Sequence, residues 1–285
     1  MNFYRSIPIY QCAGFIRIKK HGFYAGFFFF FLFSFTVKGQ QAYELERFTI
    51  EKITHLQGVA VDGRFFYAFN DNAITKHLKT DGSMVGTWDG STDSRIKHLN
   101  SAIVIKNKLY CAHSNFPESP MASSIEIFDT RTMKHIGSHS FGIFAGSATW
   151  IDEKDGFWWV AFAHYSGKHA REGRDNRWTS LVKFNKDWSS IESWIFPNNV
   201  LEAFAPNSNS GGIWNRDGLL YITGHDRKEV YVLKVPDMGY TLEYIKTIPV
   251  INEGQGIAVD QSKRDREILY GITRKGNQVV VQEIK

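Results

Sequence analysis

The chain has 285 residues, 43% hydrophobic, 15% aromatic and 22% charged, which excludes a disordered or fibrous protein and supplies a sizeable core. Its formal charge of +5 traces to residues 1–39, which hold Arg5, Arg17, Lys19, Lys20 and Lys38 and no acid. The other 29 basic and 29 acidic residues balance, so a global attraction to nucleic acid is excluded as a partner class.

The first element in the chain is a secretory leader over residues 1–39. A basic lead ends at Lys19-Lys20-His21, and the apolar run Ala25 to Val37 follows it. Val37-Lys38-Gly39 then offers a cleavage site before Gln40. That run is about 13 residues, short of the roughly 20 needed to span a bilayer. Cleavage implies export to the periplasm or beyond; retention would leave an anchor, the only membrane contact expected. Once the leader and its Cys12 are gone, Cys111 is the sole cysteine. The mature fold therefore rests on its core, with Cys111 a buried thiol in an apolar strand.

From residue 40 onward the chain repeats. Short apolar strands begin near Gly58, Ser101, Ser147, Gly212 and Gly256, at spacings of 43, 46, 65 and 44 residues. Each is followed by a turn and a second apolar strand, such as Phe65 to Phe69, Lys108 to Ala112 and Phe157 to Phe162. Asp62-Gly63, Asp155-Gly156 and Asp217-Gly218 precede three of these strands and are suited to positive-φ hairpin turns. Third strands recur, as at Ser124 to Asp129, and fourth strands at Ile191 to Trp194 and Leu242 to Ile245. Only Asn198 to Phe204 suggests a helical turn. Four short strands in 40 to 50 residues is the period of a propeller blade. The expected fold is thus all-β, a single β-propeller of five four-stranded blades over residues 40–285. The N-terminal strand of the mature chain, Tyr43 to Glu51, would close the ring by completing the truncated fifth repeat. A sixth blade would have to hide in the 65-residue third repeat.

A propeller gathers repeated strand ends around one channel mouth, so polar residues there are the candidate site. Blade starts bring Gln57, Asn100, Ser147, Ser210 and Gln255, with His55, His98, Asn209 and Glu253 just upstream. Their structural alternative is close packing at a crowded axis. Second-strand ends bring Asp71, His113, His164, His225, Asp226 and Arg274. His113, His164 and His225 would serve as general acid or base, or together take a divalent metal, the one cofactor their chemistry suggests. Gln57, Asn100, Gln255, Arg274, Arg174 and Asp226 would bind substrate. The long third repeat adds Arg171, Arg174 and Arg177, whose guanidinium forks would suit a carboxylate or sulfate unless they form a solvated charge run. No nucleophile elbow, Walker loop, HExxH or paired-cysteine zinc motif is present.

Several stretches carry a family resemblance: HLQGVAVD (His55 to Asp62), KHLNSA (Lys97 to Ala102), YCAHSNFPESPMASSIEIFD (Tyr110 to Asp129), FAHYSGK (Phe162 to Lys168), GLLYITGHDR (Gly218 to Arg227) and EGQGIAVD (Glu253 to Asp260). Over residues 53 to 280 the chain resembles bacterial secreted propellers described as cycloisomerase-like, themselves architecturally similar to enzymes that lactonise carboxylated muconates. The resemblance implies an exported isomerase or lactonase acting on a small anionic, oxygen-rich substrate. No catalytic motif matches residue by residue, so it transfers no catalytic role. Two other readings stand beside it: a propeller that binds a glycan or protein without catalysis, and a carbohydrate-active hydrolase or lyase. For the last, Asp71, Asp226 and Glu253 make no convincing carboxylate pair.

Overall fold

The computed structural model describes residues 39–171 and 173–285. The expected leader, apart from Gly39, lies outside them. The strand β1 (Ala42–Thr49) opens the described chain. The first blade is β2 (Gly58–Val61), β3 (Phe65–Phe69), β4 (Ala73–Leu78) and β5 (Met84–Asp89). The second is β6 (His98–Ile105), β7 (Lys108–Ser114), β8 (Ser123–Asp129) and β9 (Lys134–Gly142), and the third is β10 (Ser147–Lys154), β11 (Phe157–Ala163), β12 (Ser180–Phe184) and β13 (Ser190–Ile195). After the helix α1 (Asn198–Phe204) comes the fourth, β14 (Gly211–Trp214), β15 (Leu220–Thr223), β16 (Glu229–Lys234) and β17 (Glu243–Pro249). The fifth has only β18 (Ala258–Val259), β19 (Glu267–Thr273) and β20 (Gln278–Ile284) from the C-terminus. Its outer strand is β1, paired antiparallel to β20 from Ala42 opposite Ile284 to Thr49 opposite Gln278.

The protein is therefore a five-bladed β-propeller with its ring closed by the first strand. The extra length of the third repeat goes into the loop 164–179 and the α1 connection, not into a sixth blade. Blades bury both faces of their inner strands against their neighbours, which is why β3 and β11 read as unbroken apolar runs. Outer strands keep one face in water, as the exposed positions of β5 and β9 show. The core divides into inter-blade layers: Tyr67, Phe69, Leu99 and Cys111 between blades one and two, and Trp150, Trp159, Trp194 and Trp214 with α1 between three and four.

Turn chemistry follows the dipeptides only in part. Asp155 and Gly156 both take positive φ, 54° and 83°, as a tight hairpin requires. At Asp62-Gly63 the carboxylate instead accepts the backbone N–H groups of Arg64 and Phe65, and neither residue needs positive φ. At the axis the blades touch backbone to backbone. A Cβ on Gly256 would lie 2.9 Å from the Gly58 Cα, so small residues at blade starts are a packing necessity there.

One buried acid links blades three and four. Both oxygens of Asp152 accept backbone N–H groups, Oδ2 from Trp214 at 2.8 Å and Oδ1 from Glu153 at 2.7 Å. Burial outweighs these bonds and pushes its pKa up to about 7. A carboxyl group whose folded pKa is raised binds its proton more tightly folded than unfolded. Its contribution to stability is therefore complete below the unfolded value near 4 and declines as pH rises toward about 7. Asp152→Asn should remove that component. Across pH 4 to 7, the wild-type Tm should fall relative to the variant's, although the amide forfeits one acceptor at every pH. Parallel Tm curves would contradict the assignment.

Candidate active site at one mouth of the propeller

Innermost strands begin, and second strands end, on the same face of the ring. This face carries the loops between second and third strands, one per blade: 70–72, 115–122, 164–179, 224–228 and 274–277. In ring order they bring Asp71, Phe116, Tyr165, His225 with Asp226, and Arg274 to the mouth.

Between blades one and two, His98 Nδ1 lies 2.6 Å from Asp71 Oδ1, which also accepts the Gln57 Nε2 amide at 3.0 Å. Because an ionised carboxylate only accepts, the dyad puts a proton on His98 Nδ1. The other ring nitrogen, Nε2, takes no bond from any described residue and is not sealed from solvent. The His98 ring packs 5.3 Å from Phe116, which in turn meets Tyr165 at 5.0 Å and His169 at 4.9 Å. Burial pushes the Tyr165 phenol up to about 12, against a hydrogen bond from Ser147 and the Arg171 charge. It is thus a neutral O–H donor near the axis.

Across the mouth, Arg274 Nη2 lies 3.1 Å from His225 Nε2, and Nη1 lies 3.6 Å from Asp226 Oδ1. A guanidinium only donates, so His225 Nε2 accepts and its proton sits on Nδ1, which lies 2.7 Å from Asp226 Oδ1 but outside hydrogen-bond geometry. Burial lowers the Arg274 pKa, while the charges of Asp226, Asp71 and Glu253 act in the opposite sense. Asp71 is therefore common to both halves: it orients His98 and faces the guanidinium of the next blade. Glu253 Oε2 accepts the Arg274 backbone N–H at 3.1 Å.

Gln255 is a positioning residue. Held at a φ of 65°, it bonds the Gly224 carbonyl through its backbone N–H and the His225 carbonyl through Nε2 at 2.9 Å. Asn100 is a latch between blades two and three, its amide donating to the Ala148 carbonyl at 3.0 Å. Each amide is buried and keeps a second N–H beyond these bonds.

The three histidines expected to converge do not. Only His225 reaches the mouth, because β15 stops at Thr223 and leaves it in the loop. His113 falls inside β7, paired with Leu99 and Ser124 on its two sides. Its Nε2 accepts the Lys97 N–H and its Nδ1 donates to Ser124 Oγ, which donates to buried Glu126. Burial lowers its pKa, and it serves as a neutral structural imidazole. His164 is 3% exposed, directly after β11, with its Nε2 against the Ala145 carbonyl in the lead-in to β10. Among the described residues no three His, Cys, Asp or Glu side chains gather as a metal site.

The arginine clamp is also dispersed. Arg171 donates to the Pro117 and Glu118 carbonyls, stapling the loops of blades two and three, and Arg177 pairs with Asp175. Arg174 donates to the Phe144 carbonyl on the rim, away from the other two. The residues passed over in sequence were Phe116, Tyr165 and His169, and the His98–Asp71 pairing was not foreseen. Their signal was positional: all lie on loops of the face that carries the blade starts.

No protein-family model and no curated protein sequence matches the chain. Among solved structures it is similar to Myxococcus xanthus glutaminyl cyclase, at 10% identity and TM-score 0.55, over 86% of this chain and 97% of that one. It is likewise similar to the PQQ-bound aldose sugar dehydrogenase of Streptomyces coelicolor, at 10% identity and TM-score 0.54, over 87% and 99%. These likenesses share the β-propeller fold.

Proposed function

We propose that the protein is an exported acid–base enzyme of the isomerase or lactonase kind, working on a small oxygen-rich substrate at this mouth. The observation that carries the reading is the His98 imidazole, oriented by Asp71 through one nitrogen and open at the other. His98 Nε2 takes a proton from a substrate carbon or hydroxyl. The electron pair passes to a carbonyl oxygen or closes a ring, and the proton returns at a second atom. Arg274 and the Tyr165 hydroxyl supply donors for the developing negative charge.

The resemblance suggested an anionic substrate, and the charges around Arg274 refine that. Asp226, Asp71 and Glu253 already act on the guanidinium, so a fully charged substrate carboxylate would compete with three acids. A carbonyl that becomes negative only during reaction gains more from Arg274 than its ground state does. Arg274→Gln should therefore reduce kcat, with KM changing less than about threefold. A loss confined to KM would restore the anion-binding role. Enzymes are named among the similar folds, but fold alone does not transfer an activity.

A further inference from the structure

The loop between the second and third strands is far longer in blade three than in the other blades, and it builds a separate groove on the outer rim. The cavity measures about 520 Å³, within the range of small-ligand sites. Its walls are Phe144, Trp178 and Ile195, which are 79%, 53% and 38% exposed, and its floor is His164. The Arg174 guanidinium lies 5.1 Å from the centre of the Trp178 ring and donates to the Phe144 carbonyl at 3.0 Å.

This groove is built. Arg171 and Arg174 exchange backbone hydrogen bonds, and Asp175 caps the short turn that carries Trp178 by accepting the Arg177 N–H. Asn176 is buried and donates to the Leu201 carbonyl, anchoring the loop to α1. One polar group faces the cavity with capacity to spare. Among the described residues Arg174 pairs with no carboxylate, whereas Arg177 is neutralised by Asp175. His164 beneath it is closed off: Nε2 lies 3.3 Å from the Ala145 carbonyl and so carries the proton, and Nδ1 is sealed from solvent. Burial and the Arg174 charge both lower the His164 pKa, which keeps it a neutral floor to the groove.

We infer that this groove binds a uronate unit of an oligosaccharide, its ring stacked on Trp178 and Phe144 and its carboxylate on Arg174. Exposed aromatic faces suit the C–H face of a pyranose, and a guanidinium that meets no carboxylate among the described residues suits one from a ligand. An extended peptide fits less well, because strand addition needs a free backbone edge. At the groove wall Ile195 already exchanges hydrogen bonds with Tyr240 and Leu242. The site is independent of the mouth chemistry proposed above.

Calorimetric titration of the intact protein with trigalacturonate and with its methyl ester tests the inference. Saturable binding of the acid is expected, at least about tenfold tighter than the ester. Trp178→Ala, at an exposed position, should weaken binding at least about tenfold without lowering Tm, and Arg174→Gln should make acid and ester equal. His98→Gln should leave the titration unchanged. The inference is overturned by no saturation up to about 10 mM, by equal binding of acid and ester to wild type, or by binding that His98→Gln removes and Trp178→Ala spares.

Discussion

His98→Gln should reduce kcat/KM by about 10²- to 10⁴-fold, the usual contribution of a positioned general base. Glutamine keeps an N–H that can reach Asp71, so the hydrogen bond at 2.6 Å has a substitute while the basic nitrogen is gone. His98 makes no other side-chain hydrogen bond to a described residue, so Tm should stay within about 2 °C of wild type. Asp71→Asn should cost less, because an amide oxygen can still accept from His98 and Gln57 while the charge that stabilises the imidazolium is lost. Rates within about threefold of wild type in His98→Gln would move the base to His225. That histidine starts at a disadvantage, since Arg274 occupies its acceptor nitrogen.

The second large effect concerns the seam where the two ends of the chain meet. Lys79, in the turn after β4, bonds Asp260 Oδ2 at 2.5 Å and the Asp62 carbonyl at 2.9 Å. Asp260 directly follows β18, so this pair joins the first blade to the last. Asp260 is 1% exposed; its other oxygen accepts from Ser262. Lys79→Ala leaves a buried carboxylate without its cation, a defect that costs about 3 to 5 kcal/mol. In a domain of this size that lowers Tm by on the order of 10 °C. Replacing both partners, as Lys79→Met with Asp260→Leu, should recover most of the loss, since an apolar pair leaves no orphan charge. A fall of less than about 2 °C in Lys79→Ala would mean that the seam is held by apolar packing and β1–β20 pairing alone.

The architecture was largely legible in the sequence because it is written in local terms. Apolar runs, Asp-Gly turns and the repeat period each depend on neighbours in the chain, and the closing strand was visible as the piece missing from the fifth repeat. The site was less legible because it depends on where a strand stops. His55 and His98 open the same His-Leu motif, yet β2 starts at Gly58 and β6 at His98, so His55 is left exposed in a left-handed turn while His98 turns into the mouth. His113 and His225 both follow second strands in the aligned repeats, but one or two residues of strand length decide between a buried ladder position and a loop. The pairing of His98 with Asp71 crosses from one blade to the next over 27 residues, and repeat spacing alone does not report such contacts. The third-repeat insertion was visible as length, but its arginines separate because each meets a different partner.

Solvent-deuterium incorporation tests the acid–base claim most directly. The protein is incubated in D₂O with hydroxy acids, keto acids and lactones, and proton NMR follows the C–H positions next to carbonyl groups. Wild type should exchange at least one substrate class faster than buffer, and His98→Gln should bring that exchange back to the buffer rate. Exchange at the same rate in wild type and His98→Gln, or no exchange above buffer in any class, would contradict the account.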